Sequence, residues 1–440
     1  MSEAITDVTA RELYDGRGQP TLEACVTMES GATGRAMVPS GASTGRHEAV
    51  EVRDGGTRLR GQGVRRAVAA VREILAPRLI GHSALLQADV DAILIAADNT
   101  PGHAQLGANS LLAVSLAVAH AAAAHRHVPL WRHFADLAGT LPRLPLPMIN
   151  LFSGGRHAPG GADLQDYLIV PRGATNLEMA IEMAVNVRLA AADLLRTRKR
   201  STLLADEGGF GPRLTRNSIG FLWSVEAIER AGLVAGADVS LALDVAASQL
   251  VRDGQYVLRR PPQTLSTEAL TTLVESWVEC YPLVSVEDPL DEDDWVGWAH
   301  LTARLGSRIQ VVGDDLFTTH TGRLQQGVRV GAANAVLVKC NQVGTLSETI
   351  GFVQLAKQTG YRTIASARSG ETEEHWLADL AVGLGVDQIK IGATRTAERT
   401  AKYNQLLRIA DELPPNSYAG RLAIDRGPTA NGHDGGDVRK

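Results

Sequence analysis

The sequence predicts an α/β protein in which a smaller α+β domain precedes a barrel of repeated strand and helix units. The first observation is an alternation of apolar and polar residues over 5–38, which helical periodicity follows. The second is a change, after about Pro147, to short apolar runs that alternate with helical segments. The length of 440 residues agrees, because it exceeds what one hydrophobic core usually organises.

The first 138 residues predict a meander of antiparallel strands followed by helices. Turn residues separate the alternating runs within 5–38, as such strands require. Apolar residues then recur at helical spacing from Val64 to Leu75 and from Leu106 to Ala122. A glycine and three prolines within 138–147 exclude a continuous helix there. We therefore place a linker in this stretch, with the domain boundary between residues 138 and 139.

The second predicted domain, 139–425, carries charged residues where its strand-like runs end. Because the carboxyl ends of barrel strands meet at one rim, we expect these side chains around one mouth. Three are carboxylates, whose mutual repulsion requires a cation, so the rim predicts a site for Mg²⁺ or Mn²⁺. Any one of them alone is equally explained as a helix cap or turn residue. The five residues are Asp244, Glu287, Asp314, Lys339 and Lys390, and the run Arg362–Ser366 supplies one more strand.

The composition argues against several other classes of protein. With 44 Lys and Arg against 49 Asp and Glu, the net charge is −5, so no overall positive field favours nucleic acid or an anionic membrane. The basic run Arg196–Arg200 is explained as the C-terminal end of a helix. The three cysteines form no CxxC pair, which predicts neither a disulfide framework nor a zinc site and fits a reducing cytoplasm.

No segment predicts a membrane span or a signal peptide. Polar residues interrupt the apolar stretch Leu106–Ala124, which therefore predicts a core helix. Residues Met1–Thr9 are short and polar. At the other end, residues 426–440 lack apolar periodicity and predict a mobile tail without an assigned function.

Eight motifs in a fixed order connect the sequence to a known family. They are DGRGQPT at 15–21, VPSGASTG at 38–45, DEGGF at 206–210, DVAAS at 244–248, SVEDP at 285–289, GDDL at 313–316, KCNQVGTL at 339–346 and SGETE at 369–373. On these motifs the sequence resembles the enolase (phosphopyruvate hydratase) family over nearly its whole length. The resemblance implies an enolase-type eight-stranded α/β barrel, an α+β capping domain before it, and a homodimer that acts on a small phosphorylated substrate.

By this resemblance, the acidic rim residues hold magnesium. Asp244, Glu287 and Asp314 match the ligands of a first Mg²⁺ ion. Ser43, in a glycine-flanked loop, matches a residue that helps to bind a second ion when the substrate arrives. The resemblance therefore implies two Mg²⁺ ions per active site.

The resemblance also implies the residues that move protons. Lys339 matches the base that removes the proton from carbon 2 of 2-phosphoglycerate, and Lys390 matches a lysine that opposes the substrate carboxylate. Glu207 matches the general acid that protonates the leaving hydroxyl on carbon 3. The metal ions would then stabilise the enolate that proton removal creates.

Four more residues match substrate-binding positions of the family. Arg368 and Ser369 match phosphate binders, and a guanidinium fork suits a phosphate dianion. His157 matches a histidine in a flexible loop near the phosphate, and Gln165 matches a glutamine on the substrate side.

Two residues depart from the family pattern, and both concern the elimination step. Ala367 stands where the family has a histidine that contacts the leaving group. Asp166 stands where the family has the glutamate that partners the general acid, so its reach is one methylene shorter. The loss of one proton-transfer helper typically lowers a rate by about 10²–10⁴-fold. Ala367 also leaves space for a different or larger group beside the phosphate.

Three functions follow as alternatives. We favour a diverged enzyme that keeps enolate formation on substrates of the 2-phosphoglycerate or phosphoenolpyruvate type. Such an enzyme could redirect the enolate to a phosphonate co-substrate, as in the synthesis of carboxyphosphonoenolpyruvate for phosphonate antibiotics. The alternatives are an ordinary enolase of reduced activity and a non-catalytic relative. The retained lysines and carboxylates argue against the last, because a scaffold has no need for a repulsive charged rim.

Overall fold

The computed structural model describes residues 3–425, so the predicted tail, 426–440, lies outside the described residues. Within them, a layer of one sheet and several helices comes first in the chain and a closed barrel with surrounding helices follows. This arrangement confirms the fold class that the sequence predicts.

The N-terminal layer begins with the predicted antiparallel meander. Its strands pair in the order β1, β2, β3, with β2 in the centre. Helices α1 and α2 are joined by a π-helical segment, Ala70–Leu75. The elements are β1 (Ile5–Tyr14), β2 (Pro20–Met28), β3 (Thr33–Met37), α1 (Arg65–Ala69), α2 (Ala76–Leu79), α3 (Gln87–Asp98), α4 (Ala108–His125) and α5 (Leu130–Ala138).

Helix α4 is the core helix of this layer. It is long and apolar enough to cross a bilayer by length and composition, but 83% of it is buried inside the protein, where it packs on β2 and β3. The closest approach is at Gly34 in β3. A Cβ built on Gly34 would lie 2.1 Å from the Ala121 nitrogen and 2.3 Å from the Ala117 oxygen, both backbone atoms of α4. Only a residue without a side chain fits there.

From residue 146 onward the chain alternates strands and helices. Helix α5 ends at Ala138 and the first barrel strand begins at Leu146, so Pro147 lies in that strand and not in the predicted linker. The strands are β4 (Leu146–Ser153), β5 (Asp166–Val170), β6 (Ser240–Asp244), β7 (Val251–Arg252), β8 (Gln255–Arg259), β9 (Pro262–Leu265), β10 (Leu283–Glu287), β11 (Gln310–Gly313), β12 (Ala335–Val338), β13 (Arg362–Ser366) and β14 (Gln388–Lys390).

Helices surround these strands, and polar residues cap five of the helices. The side chains of Asn176, Ser266, Asp294, His320 and Thr345 each accept a hydrogen bond from the first turn of the helix that follows. The helices are α6 (Leu177–Thr197), α7 (Ser218–Arg230), α8 (Thr267–Cys280), α9 (Trp295–Leu305), α10 (Thr321–Val330), α11 (Leu346–Gln358), α12 (Trp376–Gly383), α13 (Ala397–Glu412) and α14 (Leu422–Asp425).

The barrel closes in the order β10, β11, β12, β13, β14, β4, β5, β6, while β7, β8 and β9 form a separate small sheet. Repeated strand and helix units predict a parallel sheet, and this prediction is wrong at one strand, because β5 runs antiparallel to both β4 and β6. The reason is that a loop without a helix, residues 154–165, joins β4 to β5, and both α6 and α7 follow β5. The first residue of β5 therefore lies at the same end of the barrel as the last residues of its neighbours.

We predict that Gly34→Ala destabilises the protein by about 1–3 kcal/mol, because the added methyl group overpacks the contact between β3 and α4. Gly351→Ala on α11 is the matched control, since a Cβ there meets no atom within 4 Å. This control should stabilise the protein by about 0.5–1 kcal/mol through helix propensity. Thermal unfolding midpoints of both variants are the measurement, and equal midpoints would contradict the packing described for α4.

Candidate active site

The charged residues predicted at strand ends do lie at the carboxyl ends of the barrel strands. Asp244, Glu287 and Lys390 are the last residues of β6, β10 and β14. Asp314 and Lys339 directly follow β11 and β12. Parallel strands present these ends on one rim, so the five side chains converge on one mouth.

Ten of the thirteen residues predicted for the site line a single pocket at this mouth. The other three contact pocket residues directly: Glu287 bonds Lys390, Asp314 bonds Lys339, and Asp166 bonds His157. The ten are Ser43, His157, Gln165, Glu207, Asp244, Lys339, Ala367, Arg368, Ser369 and Lys390.

Lys390 joins two of the predicted metal ligands. Its Nζ donates to Asp244 Oδ2 at 2.9 Å and to Glu287 Oε2 at 2.7 Å. Burial opposes the ammonium charge, but the two carboxylates outweigh it and raise the pKa of Lys390 well above its usual value. Gln165 Nε2 also donates to Asp244 Oδ2, at 3.2 Å. The carboxylates of Asp244 and Glu287 therefore already share a positively charged partner, Lys390.

Lys339 makes the equivalent pair with the third predicted ligand. Its Nζ donates to Asp314 Oδ2, and Gln342 Nε2 donates to Asp314 Oδ1 at 2.9 Å. Burial again opposes the charge, but Asp314 outweighs it and raises the pKa of Lys339. Without a competing cation on Asp314, Lys339 therefore keeps its proton. The sequence did not predict Gln342, although it lies within the motif at 339–346.

Asp166 contacts His157 and not the predicted general acid. Its Oδ2 lies 2.8 Å from His157 Nδ1, while His157 Nε2 is 4.0 Å from Glu207 Oε1. The other oxygen, Oδ1, accepts from Ser153 Oγ at 2.7 Å and from Asn150 Nδ2 at 2.5 Å. The shorter side chain is thus held behind the pocket wall, and the imidazole of His157 stands between the two carboxylates.

This arrangement decides which group carries the proton. Burial disfavours a charged imidazole, but Asp166 and Glu207 outweigh it and raise the pKa of His157 to about 9. Burial also disfavours an ionised Glu207, but His157 and Arg399 outweigh it and lower the pKa of Glu207 to about 2. At neutral pH the proton therefore resides on His157, and Glu207 is a carboxylate.

Arg368 is held by a segment that its sequence motif does not predict as a partner. Nη1 donates to Glu48 Oε2 and to Asn341 Oδ1, both at 2.9 Å. Nη2 donates to the Ser43 carbonyl at 2.9 Å and to Glu48 Oε1 at 3.1 Å. We call Ser40–Glu48 the lid segment. Its Glu48 makes a fork with Arg368 of the kind that a phosphate would make.

The lid segment is fastened to the barrel on both sides of the pocket. On one side, the Ala42 amide donates to Ser369 Oγ at 2.6 Å. On the other, Arg46 pairs with Glu292 at 2.5 Å and with Asp291 at 2.8 Å. Ser43 is thereby placed in the pocket wall that Asp244 also lines.

Ala367 forms part of the pocket wall between Ser366 and Arg368. Its amide donates to the Lys390 carbonyl at 2.8 Å, which fixes the backbone beside β14. A methyl group offers no proton and no hydrogen bond. At Ala367 the pocket wall therefore has room for a larger group but no side chain that can donate a proton or a hydrogen bond.

Two groups of side chains lie close enough to share an ion, with ligand atoms within 4.8 Å of one another. One is Asp288, Asp314 and Asp315, and the other is His157, Asp166 and Glu207. In the first, Asp288 accepts the amides of Asp314 at 3.0 Å and Asp315 at 2.9 Å, so it supports the turn after β11. The mouth therefore holds more carboxylates than the sequence assigned to it.

Comparison with known proteins gives matches over both parts of the chain. Residues 142–426 match the family model described as enolase, C-terminal TIM barrel domain. Residues 5–134 match the model described as enolase, N-terminal domain. The matched stretches contain every residue of the pocket described above.

We predict that His157 titrates near pH 9 and that Asp166→Asn lowers this value markedly, since burial is then opposed by Glu207 and Asp244 without the largest contribution, that of Asp166. Because the folded pKa exceeds the ordinary value of about 6.5, the stabilisation from this pair is complete below that pH and is lost as pH rises through about 9. The measurement is a histidine NMR titration, assigned by His157→Gln. An unchanged titration in Asp166→Asn would contradict the pairing.

Proposed function

We propose a function for this chain on the premise that it belongs to the enolase family, as its two matched domains show. We propose that it is a Mg²⁺-dependent enzyme that acts on substrates of the 2-phosphoglycerate or phosphoenolpyruvate type through an enolate. The observation that carries this proposal is the placement of Lys339, Lys390 and Arg368 in one pocket with the predicted metal ligands. Cytoplasmic location and a homodimer remain predictions.

The residues at the mouth fit Mg²⁺. The donors are carboxylate oxygens, which this ion prefers, and two of them already enclose the ammonium of Lys390. Asp244, Glu287 and Asp314 would hold the first ion, and Ser43 would contribute to a second. When bound, magnesium supplies positive charge that competes with the lysines for these carboxylates and stabilises an enolate.

The chain's own residues perform the remaining steps. Lys339 takes the proton from carbon 2 once its amine is freed from Asp314, and Lys390 faces the substrate carboxylate. Arg368 and Ser369 bind the phosphate. For this, Arg368 must release Glu48 and bind the substrate phosphate in its place. The group that holds a proton near the leaving side is His157, because Glu207 is ionised.

The two departures affect elimination and leave enolate formation intact. Ala367 cannot contact a leaving hydroxyl through a hydrogen bond, and Asp166 is occupied by Asn150, Ser153 and His157. We therefore propose an enzyme in which proton removal at carbon 2 is faster than the loss of the hydroxyl from carbon 3.

Isotope exchange separates the two steps. With 2-phosphoglycerate and Mg²⁺ in D₂O, we expect deuterium to enter carbon 2 while phosphoenolpyruvate forms about 10²–10⁴-fold more slowly than in an ordinary enolase. Lys339→Ala should abolish exchange, and a chelator should do the same. Proton NMR follows the exchange. If the protein forms phosphoenolpyruvate as fast as an ordinary enolase, the proposal is rejected. We expect Ala367→His to form phosphoenolpyruvate faster than the wild-type protein does.

A second candidate function is favoured by the space at Ala367, which adjoins Arg368 and Ser369 in the pocket wall. A phosphorus oxyanion that carries an extra carboxylate has room there. A phosphonoformate oxygen would add to carbon 2 of phosphoenolpyruvate while carbon 3 takes a proton. Cleavage of the bond between carbon 2 and the phosphate oxygen, with loss of a proton from carbon 3, would then release inorganic phosphate and yield carboxyphosphonoenolpyruvate.

Phosphorus NMR tests this candidate. The protein is incubated with Mg²⁺, phosphoenolpyruvate or 2-phosphoglycerate, and phosphonoformate as the free acid or in a nucleotide-activated form. We expect a new phosphonate ester signal that Ala367→His suppresses, because the imidazole fills the space. If no phosphonate product forms with any combination, this candidate is removed and the enolate proposal is judged by the exchange experiment alone.

A further inference from the structure

Arg399 on helix α13 joins three separate segments behind the pocket. Its side chain is fully buried, and its guanidinium donates to backbone carbonyls. Nη1 donates to the carbonyl of Ile391 at 2.9 Å, and Nη2 donates to the carbonyls of Ser369 at 2.8 Å and Asp206 at 3.5 Å. One side chain therefore fixes the spacing of three segments that lie far apart in the chain.

Each of the three segments carries a residue of the pocket. Ser369 lines the pocket itself. Ile391 directly follows Lys390, and Asp206 directly precedes Glu207, both of which also line it. A displacement of the guanidinium would therefore change the distances between the groups that face the phosphate, the carboxylate and the leaving side of a substrate.

Two of these segments pack closely around Arg399. A Cβ built on Gly392 would lie 2.7 Å from the carbonyl oxygen of Glu207 and 3.2 Å from Arg399 Cδ. The hydroxyl of Tyr403, one turn further along α13, donates to the Gly392 carbonyl at 2.7 Å. The contact leaves no room for a side chain between Glu207 and Arg399.

The presence of an arginine here is not explained by an ion pair. In the part of the chain that the structure describes, its one ion pair is with Glu398, at 3.8 Å, and its buried Nε has no hydrogen-bond acceptor. Lys402, the next buried cation on α13, instead pairs with Glu371 at 2.8 Å. A buried charge without a close carboxylate is costly, but a planar guanidinium can hold several carbonyls in one fixed geometry. The hydrogen bonds to the three segments therefore account for Arg399 better than its charge does.

We propose that Arg399 is a positioning residue for the substrate phosphate. It does not itself line the pocket, but it holds the backbone of Ser369 at a fixed distance from the segments of Lys390 and Glu207. This inference rests on the proposed function, in which Ser369 binds the phosphate together with Arg368.

Binding of inorganic phosphate in the presence of Mg²⁺ tests the proposal. Phosphorus NMR linewidths give the Kd, and the broadening that remains in Arg368→Met is subtracted as binding elsewhere. We expect Arg399→Met to raise the Kd by about tenfold, the loss of roughly one charge-assisted hydrogen bond, because Ser369 is no longer held in place. In the exchange experiment, the KM for 2-phosphoglycerate should rise by more than kcat falls, because Lys339 lies outside the three segments.

Tyr403→Phe is the matched control, because it removes one buried hydrogen bond beside Arg399 and touches only the segment of Gly392. We expect it to lower the thermal unfolding midpoint and to leave the Kd for phosphate unchanged. If Arg399→Met behaves in the same way, Arg399 is only a structural residue and the proposal is overturned.

Arg399→Lys covers the case in which Arg399→Met does not fold, because it keeps the charge and most of the reach. One ammonium cannot reproduce the planar fork, so we expect a Kd about threefold above that of the wild type. An unchanged Kd in each folded Arg399 variant would overturn the proposal. A wild type that binds phosphate at Arg368 but shows no exchange at carbon 2 would reject the proposed function, and the Kd values would still decide the role of Arg399. A wild type that binds no phosphate there would overturn this inference.

Discussion

The balance of buried charge at the barrel mouth is the constraint on which the rest of the site depends. Lys390 is shared by Asp244 and Glu287, Lys339 is held by Asp314, and Arg368 is held by Glu48. Removing one partner of such a pair leaves a buried charge unpaired, at a cost of about 3–5 kcal/mol. The ends of the barrel strands and the lid segment are therefore bound to one another by charged side chains of the mouth itself.

Two residues that depart from the family pattern, Asp166 and Ala367, also lie within this arrangement of charges. Asp166 pairs with one nitrogen of His157 at 2.8 Å, and the other nitrogen faces Glu207 at 4.0 Å. Ala367 contributes a methyl group to the pocket wall, which can donate no proton. His157 is thus the protonated group beside Glu207, while Lys339, Lys390 and Arg368 keep their carboxylate partners. The two positions are Asp166, the first residue of β5, and Ala367, which directly follows β13.

Much of this site could be predicted from the sequence, because its charged residues stand where short apolar runs end. Asp244, Glu287, Asp314, Lys339 and Lys390 follow this rule, and the closed barrel confirms their placement. The reversed direction of β5 could not be predicted, because its apolar run reads the same in either direction. Glu48 was missed for a different reason. Its partner Arg368 lies 320 positions away in the chain, and neither local periodicity nor composition indicates a contact between residues so far apart.

The antiparallel strand β5 has a consequence for the freedom of the loop before it. Ser153 and Asp166, which bound residues 154–165, are directly paired across β4 and β5. Both ends of the loop are therefore anchored at the mouth. An ordinary strand-to-helix loop has only one end at the mouth, and its other end leads into a helix of the outer layer. Changes in this loop can reshape the surroundings of His157 without displacing a helix. Variation in this loop can therefore change the lining of the pocket while the strands on both sides keep their pairing.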